Sequence, residues 1–354
     1  MTLPSHVPGY YTPPPVQPTP PPPPPRRRSA AYFVALGVLT AVALGSLLVM
    51  MNRQYLVDQW SVWSYTSSPT IEGYVDRSTM TDHAEFLFKA SKPNVAAADE
   101  FNSVCSNLEA GSGVLGCYRN GSKLITLFDI TDERLDGMEE VVASHEMLHA
   151  AWDRMSEAEQ SRVSVMLQAE EVKLAGDADF VARMELYGRT EPGEHFNELH
   201  SIIGTEVGDL SPALEQYYAQ YFSDRAALVA LHEQSNVVFE QIQAQSAALV
   251  AELDALNASI SADGLTYNAG YDKLNADIND FNRRADAGEF ESQQQFDSER
   301  AALLARQAKL DALLVSIKAR EAEWDAKHAQ LEALNAQAAA LNTAINISPR
   351  TAEE

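Results

Sequence analysis

The spacing of hydrophobic and polar positions divides the chain into three stretches. Ser29–Met51 is 23 residues without a charge, rich in Ala, Leu, Val, Phe and Met, and long enough to span a bilayer as a helix. From residue 211 onward a seven-residue rhythm dominates. Leu228, Ser235, Ile242, Leu249 and Leu256 recur in step, as do Tyr267, Leu274 and Phe281. Leu303, Leu310, Ile317, Trp324, Leu331, Ala338 and Ile345 hold the strictest run. Such heptads predict paired long helices. With breaks near Ser261–Gly264 and Ala285–Ser292, the expectation is one helix over about 211–261, another over 293–346 and a shorter one between. They fold back as an antiparallel hairpin; the same heptads would also serve a parallel coil between two copies, so self-association stays open.

Between these stretches the pattern is mixed. Ala84–Ala90 reads as a short strand. Asn94–Leu108 reads as a helix, with Val95, Ala98, Phe101 and Val104–Cys105 on one stripe. Gly113–Arg119 and Lys123–Asp129 flank Asn120-Gly121, a dipeptide favoured in two-residue type I′ hairpins. Asp136 is placed to cap the helix that follows. Ser156 and Glu159 have capping-box spacing at the start of a helix to Lys173. Asp177–Tyr187 reads as another helix, and Ser211-Pro212 marks a helix start.

Composition sharpens the ends of the chain. Residues 1–25 contain 12 of the 17 prolines, a segment that cannot build a core and should be extended. Net charge is −24; setting aside Arg26, Arg27 and Arg28, the only charges in the first 51 residues, leaves −27 for the rest. That argues against a nucleic-acid partner. The three arginines before the apolar run predict an uncleaved signal anchor with a cytoplasmic N-terminus and an extracytoplasmic bulk. Two cysteines, Cys105 and Cys117, predict a disulfide in such a compartment. Trp60, Trp63, Tyr65 and Tyr74 in residues 52–83 suit either an interfacial belt or the first packed residues of the domain.

The chemistry concentrates in Ser144–Ala150. His145 and His149 are four apart, so a helix turns both imidazoles to one face, where they could share one ion. Neutral imidazoles suit zinc. Glu146 follows His145 and can take a proton from a water beside the ion without being a ligand. The flanks Val141, Val142, Ala143, Met147, Leu148, Ala150 and Ala151 are apolar, as a buried active-site helix requires.

His145, Glu146 and His149, with the hairpin before them, resemble the zincin superfamily of zinc metallopeptidases over roughly residues 84–210. The resemblance implies an α+β fold, Zn2+ beneath a cleft, hydrolysis of peptide or protein substrate, and an edge strand to which substrate backbone could add. The metzincin pattern is excluded, because Trp152 and Met155 stand where its glycine and third histidine would be. Asn197-Glu198 resembles the gluzincin second helix, which makes Glu198 the implied third ligand, 49 residues after His149. His195 and His200 remain alternatives. On one helix Glu198 shares a face with His195 and Ile202, while His200 points away with Phe196 and Ile203. Gluzincins carry an acid four residues after that ligand, to orient a zinc-bound histidine; here the position is Ile202, and Glu206, Asp153 or a backbone carbonyl would have to substitute. Tyr187, Arg189 and the non-ligating histidine are candidates to stabilise an oxyanion.

The expected organisation is a Pro-rich tail (1–28), an anchor (29–51), a juxtamembrane segment (52–83), a zincin-like domain (84–210), a long-helix coil (211–346) and a tail (347–354). The leading expectation is a membrane-anchored zinc metallopeptidase. The other is an envelope scaffold built on the coil, with an inactive or structural-metal domain.

Overall fold

The computed structural model describes residues 9–21, 30–105, 115–190 and 193–345. Two units separate, one ending at Leu56 and the other starting at Val57. In the first, α1 (Ala30–Met51) carries no charged residue and contains a stretch, Tyr32–Met51, long and apolar enough to cross a membrane. Its apolar side chains from Tyr32 onward are exposed within the protein. α2 (Arg53–Ser64) follows.

The described chain is mostly helical, with one small sheet. α3 (Pro69–Arg77) begins with Ser68 capping and Pro69 in the first turn, and buries Ile71, Tyr74 and Val75. Tyr74 therefore packs in the core, whereas Trp60 and Trp63 stay exposed. α4 (Asp82–Ala90) occupies the stretch expected as a strand. Thr81 accepts the Ala84 N–H, and Ala84, Leu87 and Phe88 turn inward at helical spacing. The continuous apolar run Phe86–Phe88 is as compatible with a short strand as with a helix, which concealed that stripe.

The helix expected over 94–108 is also different. Asn94–Ala96 is β1, and α5 (Ala98–Val104) begins only afterward; residues 106–108 lie outside those described. β1 is drawn off by pairing parallel to β3 (Leu124–Phe128), which also pairs antiparallel with β2 (Gly116–Arg119). The order β1-β3-β2 leaves β2 at an edge. The hairpin is real, but its loop is Asn120–Lys123, with Lys123 in the left-handed conformation (φ 57°), not a two-residue turn. Cys105 at the end of α5 and Cys117 on β2 are disulfide-bonded, Cα atoms 6.1 Å apart.

A short 3-10 helix (Glu133–Leu135) leads into α6 (Met138–Trp152). Its cap is not Asp136, which has φ −54°, but the next residue, Gly137, in a left-handed turn at φ 96° with no side chain to cap the helix. Asp136 instead binds the Arg77 guanidinium through both oxygens. α7 (Glu157–Leu174) has the expected capping box, and α8 (Ala178–Thr190) and α9 (His195–Glu206) follow. α6 and α9 cross in the core through Met147, Leu148, Leu199, Ile202 and Ile203, all fully buried. Arg154, just past α6, pairs with Asp58 on α2 through two hydrogen bonds of 2.9 and 3.0 Å, almost out of solvent.

Ser211-Pro212 does start a helix, but α10 (Pro212–Tyr218) is short. Tyr218 and Phe222 then turn into the core, ending it. α11 (Arg225–Asp286) starts under the Asp224 cap and runs unbroken through 261–264, where a break was expected. Pairing with α12 (Gln293–Ala344) carries it across. Glu252–Lys327, Asp263–Arg320, Asp277–Arg306 and Arg284–Glu299 bridge the two helices in antiparallel register. The hairpin base packs Ile242, Leu341 and Ile345 onto Leu135, with Leu115, Met138 and Phe239 around them.

Candidate metal centre

α6 holds the chemistry inside the core. His145, Glu146 and His149 are each less than a tenth exposed. A helix made otherwise of Val, Ala, Met and Leu can be buried on nearly all sides, and that draws these polar groups in with it. Burying them has a cost unless they are partnered. The partner arrives on α9. Glu198 is 2% exposed, with Oε2 3.6 Å from His145 Nε2 and Oε1 3.4 Å from His149 Nε2. The imidazole rings stand nearly perpendicular, centroids 4.7 Å apart. A tetrahedral ion bound at the usual zinc–nitrogen and zinc–oxygen lengths separates its donors by roughly 3.3–3.5 Å. The two histidine–carboxylate distances run to different oxygens, and one donor atom from each residue lies within 4.8 Å of the others, so a small inward movement of these side chains would let them hold such an ion.

The protonation pattern suits the same role. Burial pushes the His145 imidazole below its ordinary pKa, so it is neutral with a nitrogen lone pair to offer. His149 Nδ1 lies 2.9 Å from Asn197 Oδ1 and 3.3 Å from Ser201 Oγ. Asn197 in turn donates from Nδ2 to Glu194 Oε2 at 3.0 Å. An Nδ1–H donated to Asn197 orients the ring so that Nε2, on the side facing Glu198, is the nitrogen available to an ion.

The competing histidines are elsewhere. His200 is fully buried among Trp152, Tyr217 and Tyr218, with Nε2 2.8 Å from the Tyr217 hydroxyl, and burial pushes its pKa down to about 3. His195 is half exposed beside Glu171, 3.2 Å away. Neither joins the donor group. No family model, curated protein or solved structure matches this chain.

The oxyanion and orienting candidates also sort. Tyr187 stacks over His145, centroids 6.4 Å apart, and lines both the cavity that holds the three donors and a second one bordered by His145 and Glu146. Arg189 is exposed and lines neither. Asp153 is engaged by Tyr118 and Lys123, and Glu206 by Arg183. Neither orients a donor histidine. Asn197 does so for His149, a role the sequence left unassigned. Its signal was position alone, one residue before the carboxylate donor.

The edge strand reaches the site at Gly116. A Cβ there would lie 2.6 Å from Glu146 Oε1 and 2.7 Å from Val142 Cγ1. Only a glycine lets β2 approach α6 this closely. Gly116→Ala is expected to lose about 1–3 kcal/mol in chemical denaturation, because strand or carboxylate must shift. A midpoint equal to that of the wild type would refute the close approach.

Proposed function

We propose that the chain is a zinc-dependent peptidase of zincin-like, gluzincin-like architecture, tethered to a cell membrane by its N-terminal apolar helix. The observation that carries this reading is the convergence of donor atoms from His145, His149 and Glu198 to within 4.8 Å of one another, with Glu146 alongside. Three protein donors leave a fourth position for water or substrate, the arrangement of catalytic rather than structural zinc. Bound there, zinc would supply a Lewis acid for the scissile carbonyl and ease ionisation of the attacking water.

The remaining work falls to the chain. Glu146 accepts the water's proton and returns it to the leaving amine. Tyr187, whose ring stacks on His145 and lines the donor cavity, is our candidate to meet a developing oxyanion. β2, at the edge of the sheet among the described residues, would offer that edge to extended substrate backbone, directly beside Glu146. Arg26–Arg28 ahead of the apolar helix favour a cytoplasmic N-terminus, and the Cys105–Cys117 bond suits an oxidising compartment for the bulk of the chain.

The scaffold reading draws on the 62- and 52-residue helices of the hairpin. A purely structural metal needs a closed set of four protein donors, whereas three group together among the described residues. Chelator treatment of the full chain separates the two readings. Peptide cleavage should stop on metal removal and return with one equivalent of zinc. Cleavage that persists in metal-free protein refutes the peptidase.

A further inference from the structure

A cavity of about 480 Å3 opens at the Leu115 end of β2. That volume lies within the roughly 300–1,000 Å3 typical of ligand sites. Gly116, His145 and Glu146 form one side and also line the smaller cavity that holds all three donors, so the cavity adjoins the metal centre. The opposite side comes from the hairpin: Asn236 and Phe239 near the start of α11, and Asn342 and Ile345 at the end of α12. Packing of Ile345 and Leu341 on Leu135 holds that wall in place.

We infer that this cavity is the subsite for one bulky uncharged side chain of the substrate, and that the C-terminal hairpin is the element selecting it. The inference rests on the peptidase reading. Leu115, Met138, Val141, Phe239 and Ile345 present an apolar lining. Glu146 lies on the metal-centre side of the cavity; the charged groups on the hairpin side are already answered. Arg183 is ion-paired with Glu206, and burial pushes the His232 pKa down to about 4, leaving it neutral at pH 7. Asn236, Asn342 and Ser235 add neutral polarity only. A charged side chain lodged against the hairpin wall would shed water with Arg183 already paired and His232 neutral, which disfavours it. An apolar one gains by leaving water.

The experiment offers a random peptide library to the full chain in detergent micelles and reads cleavage sites by mass spectrometry. At one position beside the scissile bond, Leu, Ile, Phe and Met should exceed Asp, Glu, Lys and Arg by tenfold or more. Asn342 is half-buried on the last turn of α12, so a charge placed there faces the cavity. Asn342→Glu should shift preference at that same position tenfold toward Lys and Arg, and Asn342→Lys tenfold toward Asp and Glu. Wild-type cleavage without such a preference overturns the inference. So does an unchanged preference in both folded charge variants. If neither variant folds, Ile345→Ala replaces them; it enlarges the cavity and should move preference from Leu toward Phe and Trp, and no movement overturns the inference. Absence of any wild-type cleavage instead removes the peptidase reading, and this inference with it.

Discussion

Replacing Glu146 with Gln should lower peptide hydrolysis by roughly 10²–10⁴-fold while leaving the zinc content of the protein unchanged. The amide matches the carboxylate in size and keeps its place beside Gly116 and Val142, so packing should survive. What disappears is the ability to accept a proton. Glu146 stands outside the three-donor group, so the ion should be retained. Atomic absorption on the purified variant, paired with turnover on one peptide, separates loss of base from loss of metal. Turnover within tenfold of wild type would refute Glu146 as the general base.

Glu198→Ala should have the opposite signature. It takes the only carboxylate from the donor group and leaves two imidazoles facing an empty corner. Zinc affinity should fall by more than the roughly 10–100-fold expected when only an outer partner such as Asn197 is lost. Stability reports the same event. Zinc at about 1,000 times its Kd stabilises a folded protein by about 4 kcal/mol, provided that the unfolded chain does not bind it. The wild type should therefore melt higher when zinc is added, and the variant should not. Because the substitution also removes a buried acid, its deficit should be confined to the zinc-loaded state. An equal zinc-induced rise in both proteins would exclude Glu198 as a donor.

The parts of the site legible in the sequence are those written in local spacing. His145, Glu146 and His149 lie within one helical turn, and their apolar neighbours foretold burial. Helical phase on α9 separated Glu198 from His200, and His200 does point the other way, into the aromatic cluster. The capping box at Ser156, the disulfide and the turn between the long helices were likewise short-range signals. What escaped depended on partners far along the chain. β1 exists because β3 offers it a partner, and nothing in Asn94–Ala96 announces that. α11 continues through Gly264 because α12 lies against it. Asn197 gains its role only when α9 crosses α6. The cavity wall escaped most completely, since it joins residues near 115, 145, 236 and 345.

The antiparallel register of the long helices has a practical corollary. Asp263 meets Arg320 and Asp277 meets Arg306, so each limb measures out the other from the loop at 287–292. Excising whole heptads in matched numbers from both limbs would shorten the rod yet return Ile345 to the same spot. Excision from one limb alone would slide the returning strand of the rod and pull that residue off the cleft. Natural length variation here should thus come in balanced pairs.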